Sequence, residues 1–249
     1  MFRIRIQNKK KCIWYCSAVV SFLLFLLLLG WTNHLANTQD AQQMAGRWSE
    51  KKDVAQISCF FSSKAEVTED TIQSFEYSLK NVLQEASITE TSENPSARLW
   101  VDAYSADGKI TLVNGRNTLD ANAIGIGGDF FLFHPLKLIT GSYFSGNDLM
   151  QDYCIIDQDA AWQLFGSNDV VGMTVYIGNV PHIVTGVVRR PQGRMEKAAG
   201  LTSTVVYVSY ETLETYGTSN GINHYEIVMP NPVDEFAYGK VKEGIGIDE

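Results

Sequence analysis

The sequence predicts an α+β fold: one N-terminal transmembrane helix followed by an extracytoplasmic domain. Three observations carry that reading. Residues 12–31 form an uncharged apolar run of the ~20 residues that a helix needs to cross about 30 Å of hydrocarbon. Beyond it, segments of strand and helix period alternate in an order that begins strand, helix, strand, strand. The stretch 164–188, LFGSNDVVGMTVYIGNVPHIVTGVV, reads as the end of a short helix, a polar loop and a hairpin around Gly178-Asn179, because positive φ costs Gly nothing and Asn little.

Arg3, Arg5, Lys9, Lys10 and Lys11 precede the apolar run with no acidic residue among them, which places residues 1–11 as a basic tail in the cytoplasm and the main domain outside the cell membrane. A cleavable signal peptide fits less well, since its apolar region is ~7–15 residues and ends at a small-x-small site. Here 34–37 read His-Leu-Ala-Asn. Trp14, Tyr15 and Trp31 flank the run as interfacial aromatics do. Setting the five tail cations aside leaves fifteen of the twenty Lys and Arg against twenty-eight Asp and Glu, about −13 outside. Such a surface does not seek nucleic acid. Cys59 and Cys154 lie outside; two buried free thiols are expected, although an oxidising compartment leaves a disulfide open.

Residues 32–52 are polar with no apolar period and are expected to form a stalk. A strand follows at 54–61. Thr68 suits a helix N-cap, with Glu69 and Asp70 in the first turn, and Ile72, Phe75, Leu79, Val82, Leu83 and Ala86 recur at helical spacing. Asp107-Gly108 between 98–105 and 109–113 is read as a hairpin turn. Residues 117–126 continue as a strand into Gly127-Gly128-Asp129-Phe130-Phe131, a turn before an aromatic segment. A strand at 153–156 leads to a short helix over 158–165, capped by Asp157 and stopped by Gly166. Residues 189–201 carry Pro, two Gly and mixed charge without period and are expected to be a mobile loop. A strand at 204–208, a helix capped by Ser209 and closed by Gly217, a strand at 225–229 and a helix over 234–243 complete the domain, 53–243. The element order suggests an α+β lobe, about 53–115 with 203–243, and an inserted β-rich lobe, about 120–190, moving about connections at 115–120 and 189–201.

No catalytic, cofactor-binding or metal-ligating residues are predicted. His34, His134, His182 and His224 are scattered without metal-ligand spacing. Gly125-Ile126-Gly127-Gly128 lacks the third glycine of a dinucleotide loop. No phosphate-binding loop for ATP and no serine-hydrolase elbow occur. Asp148, Asp152, Asp157 and Asp159 lack calcium-loop spacing, and Phe130, Phe131, Phe133, Tyr143 and Phe144 are expected to fill a core.

The string Gly127-Gly128-Asp129-Phe130-Phe131, then Leu138-x-x-Gly141-x-x-Phe144 and Asp148, resembles the extracytoplasmic core domain of MacB-type ABC transporter permeases. So do Leu164-Phe165-Gly166, Val171-Gly172-Met173-Thr174-Val175, Ile183-Val184-x-Gly186-Val187-Val188, and the segment 224–232. Two positions depart: Ser142, where the family usually has arginine, and Val170, where proline is frequent. The resemblance implies a permease whose outer domain has a porter-like α+β lobe and an inserted β-rich lobe. It further implies export or extraction of a peptide, antibiotic or lipid-linked substrate, with ATP bound on a separate nucleotide-binding subunit and none in this chain. Its implied partners are that ABC ATPase subunit, a second permease copy or homologue, and the lipid bilayer. Such permeases carry three further spans after the domain, and this chain has no second apolar run of that length. It is therefore expected to be either a piece of a longer permease or a single-span binding or accessory module without transport activity.

Overall fold

The computed structural model describes residues 2–49, 53–89, 98–190, 193 and 203–246. They fall into two compact units, Met1–Gln43 and Met44–Glu249. The first is helix α1 (Phe2–Asn37) and a 3-10 turn at Asp40–Gln42. Within α1 the segment Ile13–Asn37 is long and apolar enough to cross a membrane by length and composition. Its large side chains, Leu27 and Trp31 among them, are exposed. An apolar surface on all sides is what a lipid-facing helix presents.

The second unit is built on one mixed sheet in the order β1-β10-β2-β3-β8-β5-β7-β4, with β6 bridging β2 and β7, and β9 on β2. In chain order the strands are β1 (Val54–Phe60), β2 (Val101–Asn114), β3 (Asn117–Gly128), β4 (Leu138–Gly141) and β5 (Tyr153–Asp157). They continue as β6 (Thr174–Ile177), β7 (Val180–Val188), β8 (Val205–Ser209), β9 (Thr218–Ser219) and β10 (His224–Pro230). The helices are α2 (Met44–Trp48), α3 (Glu69–Glu85), α4 (Phe130–Phe133), α5 (Gln158–Phe165), α6 (Tyr210–Tyr216) and α7 (Phe236–Ile245). Among the described residues only the β3–β8 and β5–β7 pairs are parallel. The α+β expectation is met.

Each face of the sheet has its own core. Under α3 and α7, the α3 residues Ile72, Phe75, Leu79 and Leu83 meet Tyr225, Ile227 and Met229 of β10, and Phe75 sits edge-on to Tyr225 at 6.1 Å. Each fully buried apolar side chain of this kind is worth roughly 1.5–3 kcal/mol. Val82 is only half-buried and Ala86 is exposed, so the helix stripe is narrower than its spacing suggests. On the opposite face, under α2 and α4, Phe130, Phe131, Phe133 and Phe144 pack with Val101, Ala103, Ile126 and Val228.

Several boundaries differ from the sequence reading. The hairpin is not at Asp107-Gly108: β2 runs through it, and the turn is Gly115-Arg116, with twelve paired positions from Asn114↔Asn117 to Ala103↔Gly128. A Cβ on Gly108 would lie 2.4 Å from the Thr218 carbonyl oxygen. That glycine thus marks the close approach of β9, not a turn. The connection expected over 115–120 is consequently a two-residue turn and the start of a ladder. Residues 44–48, expected in the stalk, fold as α2, where the Met44 N–H donates to Gln56 Oε1 at 3.0 Å and Met44 is buried. The expected loop 189–201 lies, from 191 onward except for Gly193, outside the described residues.

The hairpin within 164–188 forms as predicted. Val175↔His182 and Ile177↔Val180 pair across Gly178 (φ 55°) and Asn179 (φ 68°), the two positive φ values of a type I′ turn. Asp157 caps α5, its Oδ1 accepting from the Ala160 N–H at 2.7 Å, and Gly166 ends it in the left-handed region. Ser209 caps α6 through the Thr212 N–H.

Candidate functional site

A cleft of about 640 Å³ lies between α3 and β2. Its wall is the polar flank of α3, on which Glu69, Gln73, Glu76, Lys80 and Gln84 recur at helical spacing. Its floor is Asp102 and Tyr104, alternate residues of β2 and hence on one face. The backbone around the end of β3 closes tightly behind them. A Cβ on Gly127 would lie 2.0 Å from the Tyr104 ring, and one on Gly146 would lie 2.4 Å from Gly127 Cα. The glycine pair of the Gly-Gly-Asp-Phe-Phe string is therefore there for close approach, and Asp129 is locked beside it, its N–H donating to the Asp102 carbonyl at 2.9 Å. Arg98 at the rim pairs with Asp129.

Burial, reinforced by the Glu76 carboxylate beside it, pushes the Asp102 carboxyl up to about 8, against the Tyr225 hydroxyl that donates to Asp102 Oδ2 at 3.1 Å. Burial and the neighbouring Glu69 also raise Tyr104. The floor of the cleft is thus uncharged near neutrality beneath a charged helical wall. Such a cleft can receive a ligand by hydrogen bonding, and among its described residues none is arranged as a nucleophile beside a base.

The histidines, scattered in sequence, do not stay so in space. His34 is exposed on α1. His182 is a satisfied core residue, Nδ1 3.0 Å from the Val180 carbonyl and Nε2 3.2 Å from Thr212 Oγ1, and burial lowers its pKa. His134 and His224, by contrast, converge on Glu226. Their separation of ninety residues hid this; the available signal was His224-x-Glu226, a spacing that puts both side chains on one face of a strand. The acidic residues do not gather into a site. Asp157 accepts from Arg190 at 2.7 Å and from the Val205 N–H at 3.0 Å, Arg190 also pairs with Asp159, and Asp148 accepts from the Ser145 N–H. Phe130, Phe131, Phe133 and Phe144 are buried core, with Tyr143 stacked on Phe131 at 4.5 Å. Cys59 and Cys154 are free and buried, and burial pushes their thiols up to about 11 and about 12.

Comparison with known proteins adds the family. The MacB-like periplasmic core domain matches residues 20–249. The macrolide export ATP-binding/permease protein MacB of Pasteurella multocida is 32% identical over 81 residues, 32% of this chain and 12% of that protein. Its counterpart in Agrobacterium fabrum is 30% identical over 107 residues, 42% of this chain and 16% of that protein. The chain thus spans a small part of the curated relatives it matches. Among solved structures, the extracellular domain of the noncanonic ABC-type transporter YknZ from Gram-positive bacteria aligns over 78% of this chain and 97% of that one, at 19% identity and TM-score 0.49. The periplasmic region of MacB from Actinobacillus actinomycetemcomitans aligns over 62% and 72%, at 23% identity and TM-score 0.44. The chain belongs to the family of MacB-like periplasmic core domains.

Proposed function

We propose that this chain is the first span and outer domain of an ABC transporter permease that exports or extracts a peptide, antibiotic or lipid-linked substrate. The observation that carries it is the family match over 20–249, which takes in most of a membrane-length helix as well as the folded domain. In this reading a partner ATPase hydrolyses ATP on its own subunit, and a second permease copy or homologue lies beside this one in the bilayer. Motion of the transmembrane helices is passed to the outer domain, which moves substrate or an envelope partner. The described residues then serve binding and coupling, and catalysis belongs to the ATPase subunit. In this reading the porter-like lobe is about 53–115 with 203–243, and the inserted β-rich lobe is about 120–190. The α3–β2 cleft, in the porter-like portion, is where a ligand would engage.

The test is co-purification. Expressed from its own locus with an affinity tag and extracted in mild detergent, the chain is expected to bring down an ABC ATPase, with ATP hydrolysis in the eluate. Recovery of the chain without any ATPase, under conditions in which a known permease retains its own, favours instead a single-span accessory module.

A further inference from the structure

β10 places His224 and Glu226 on the same face as alternate residues, and the end of α4 brings His134 over them. One ligand atom from each, two imidazole nitrogens and a carboxylate oxygen, lie within 4.8 Å of one another. His134 Nε2 is 2.5 Å from Glu226 Oε2 and His224 Nε2 is 3.8 Å from Glu226 Oε1. These separations bracket the roughly 3.3 Å between neighbouring ligands of a tetrahedral ion with bonds near 2.0–2.1 Å. Small side-chain rotations therefore suffice to make them ligands.

Three features mark a built site. His134 Nε2, His224 Nε2 and Glu226 Oε2 are all buried and, apart from their ionic contacts with one another, have no hydrogen-bond partner. Buried polar atoms are rarely left so, because each has given up its hydrogen bonds to water without replacement. The groups are also held from behind: Ser58 Oγ donates to Glu226 Oε1 at 2.9 Å, Phe60 stacks on His224 at 4.5 Å, and Phe130 lies over His134 at 4.7 Å. Outer contacts of this kind orient metal ligands. Finally, both imidazoles line a pocket of about 320 Å³ that also holds Asn223, whose Oδ1 is another buried oxygen without a partner.

We propose that His134 Nε2, His224 Nε2 and a Glu226 oxygen bind one first-row divalent transition-metal ion of the zinc class, with solvent from the pocket in the fourth position. Two imidazoles with one carboxylate suit such an ion, whereas magnesium and calcium take oxygen ligands throughout. The ion ties α4 to β10 across the second core.

The test uses the full chain in detergent, without a polyhistidine tag, stripped with EDTA and then titrated with Zn²⁺ alone or Co²⁺ alone. Expected are one Zn²⁺ per chain, a higher Tm with metal, and the visible absorption of four-coordinate Co²⁺. His224→Gln and Glu226→Gln should each weaken binding by about a hundredfold or more, beyond what loss of an outer contact costs, and His34→Gln should leave it unchanged. If Glu226→Gln does not fold by circular dichroism, His134→Gln at the half-exposed end of α4 gives the same readout. Absence of saturable Zn²⁺ uptake by the folded wild-type chain, or uptake that survives these substitutions, overturns the proposal. Either result leaves co-purification with an ATPase untouched.

Discussion

Asp157 joins three parts of the fold through one carboxylate. Oδ1 caps α5, while Oδ2 accepts from Arg190 and from the start of β8. Its side chain is 4% exposed and that of Arg190 is 17% exposed, so Asp157→Ala leaves a guanidinium without this partner in a poorly solvated place. Denaturant unfolding followed by tryptophan fluorescence should show a loss of about 3 kcal/mol, with Asp159→Ala, on the more exposed partner, losing less than about 1 kcal/mol. Asp102 works in the opposite sense. Its carboxyl is raised to about 8 by burial and by Glu76, so its stabilising contribution is complete below about pH 4 and is lost as pH rises through about 8. Asp102→Asn, which keeps a neutral side chain of the same shape, should therefore gain on wild type as pH climbs, by at least about 1.4 kcal/mol across that window, one pKa unit's worth. Thermal unfolding between pH 5 and 9 checks it, and parallel curves would show that Asp102 does not titrate there. The helix-cap role of Asp157 was legible in the sequence because a cap is a local pattern. The Arg190 partnership and the raised Asp102 were not, since both depend on strands that meet only in the folded sheet.

At the scale of elements, glycine shows what sequence can and cannot resolve. Gly178-Asn179 and Gly166 were readable because a turn and a helix stop are local demands on φ. Asp107-Gly108 carries the same local signal, yet its glycine answers a long-range one, the Thr218 carbonyl 2.4 Å from where its Cβ would stand. Gly115, the true turn, has φ 60° and nothing within 4 Å of a Cβ. Asparagine substitution separates the two demands, because Asn tolerates positive φ but still carries a Cβ. Gly115→Asn should change stability by less than about 1 kcal/mol, whereas Gly108→Asn must displace β9 and should cost about 1–3 kcal/mol. Equal losses in denaturant unfolding would mean that β9 yields freely. The same contrast explains the Gly-Gly-Asp-Phe-Phe string: Gly128 meets a local demand with φ 63°, while a Cβ on Gly127 would strike the Tyr104 ring at 2.0 Å and one on Gly128 the Asp102 carbonyl oxygen at 2.5 Å, both from a distant strand.

For the molecule as a whole, the α+β class and the membrane-length helix were legible because both rest on composition and period over long stretches. The single sheet running from β1 to β4 was not. Its order is set by the parallel β3–β8 pair and the antiparallel β5–β8 pair, which join segments far apart in the chain. The basic tail ahead of the span makes a directional prediction about the assembled protein. Leu149 is fully exposed in the loop after β4, so Leu149→Cys offers a thiol on the outer domain; Cys59 and Cys154 are buried and contribute little background, and Cys12→Ser with Cys16→Ser removes the native thiols beside the tail, since Cys16 is free and exposed. With a membrane-impermeant maleimide, spheroplasts carrying Leu149→Cys should label before lysis. Those carrying Lys9→Cys, in the tail, should label only after it. Labelling in the reverse order would put the acidic domain inside the cell and break the permease reading at its root, because the outer domain would then face the ATPase instead of the envelope.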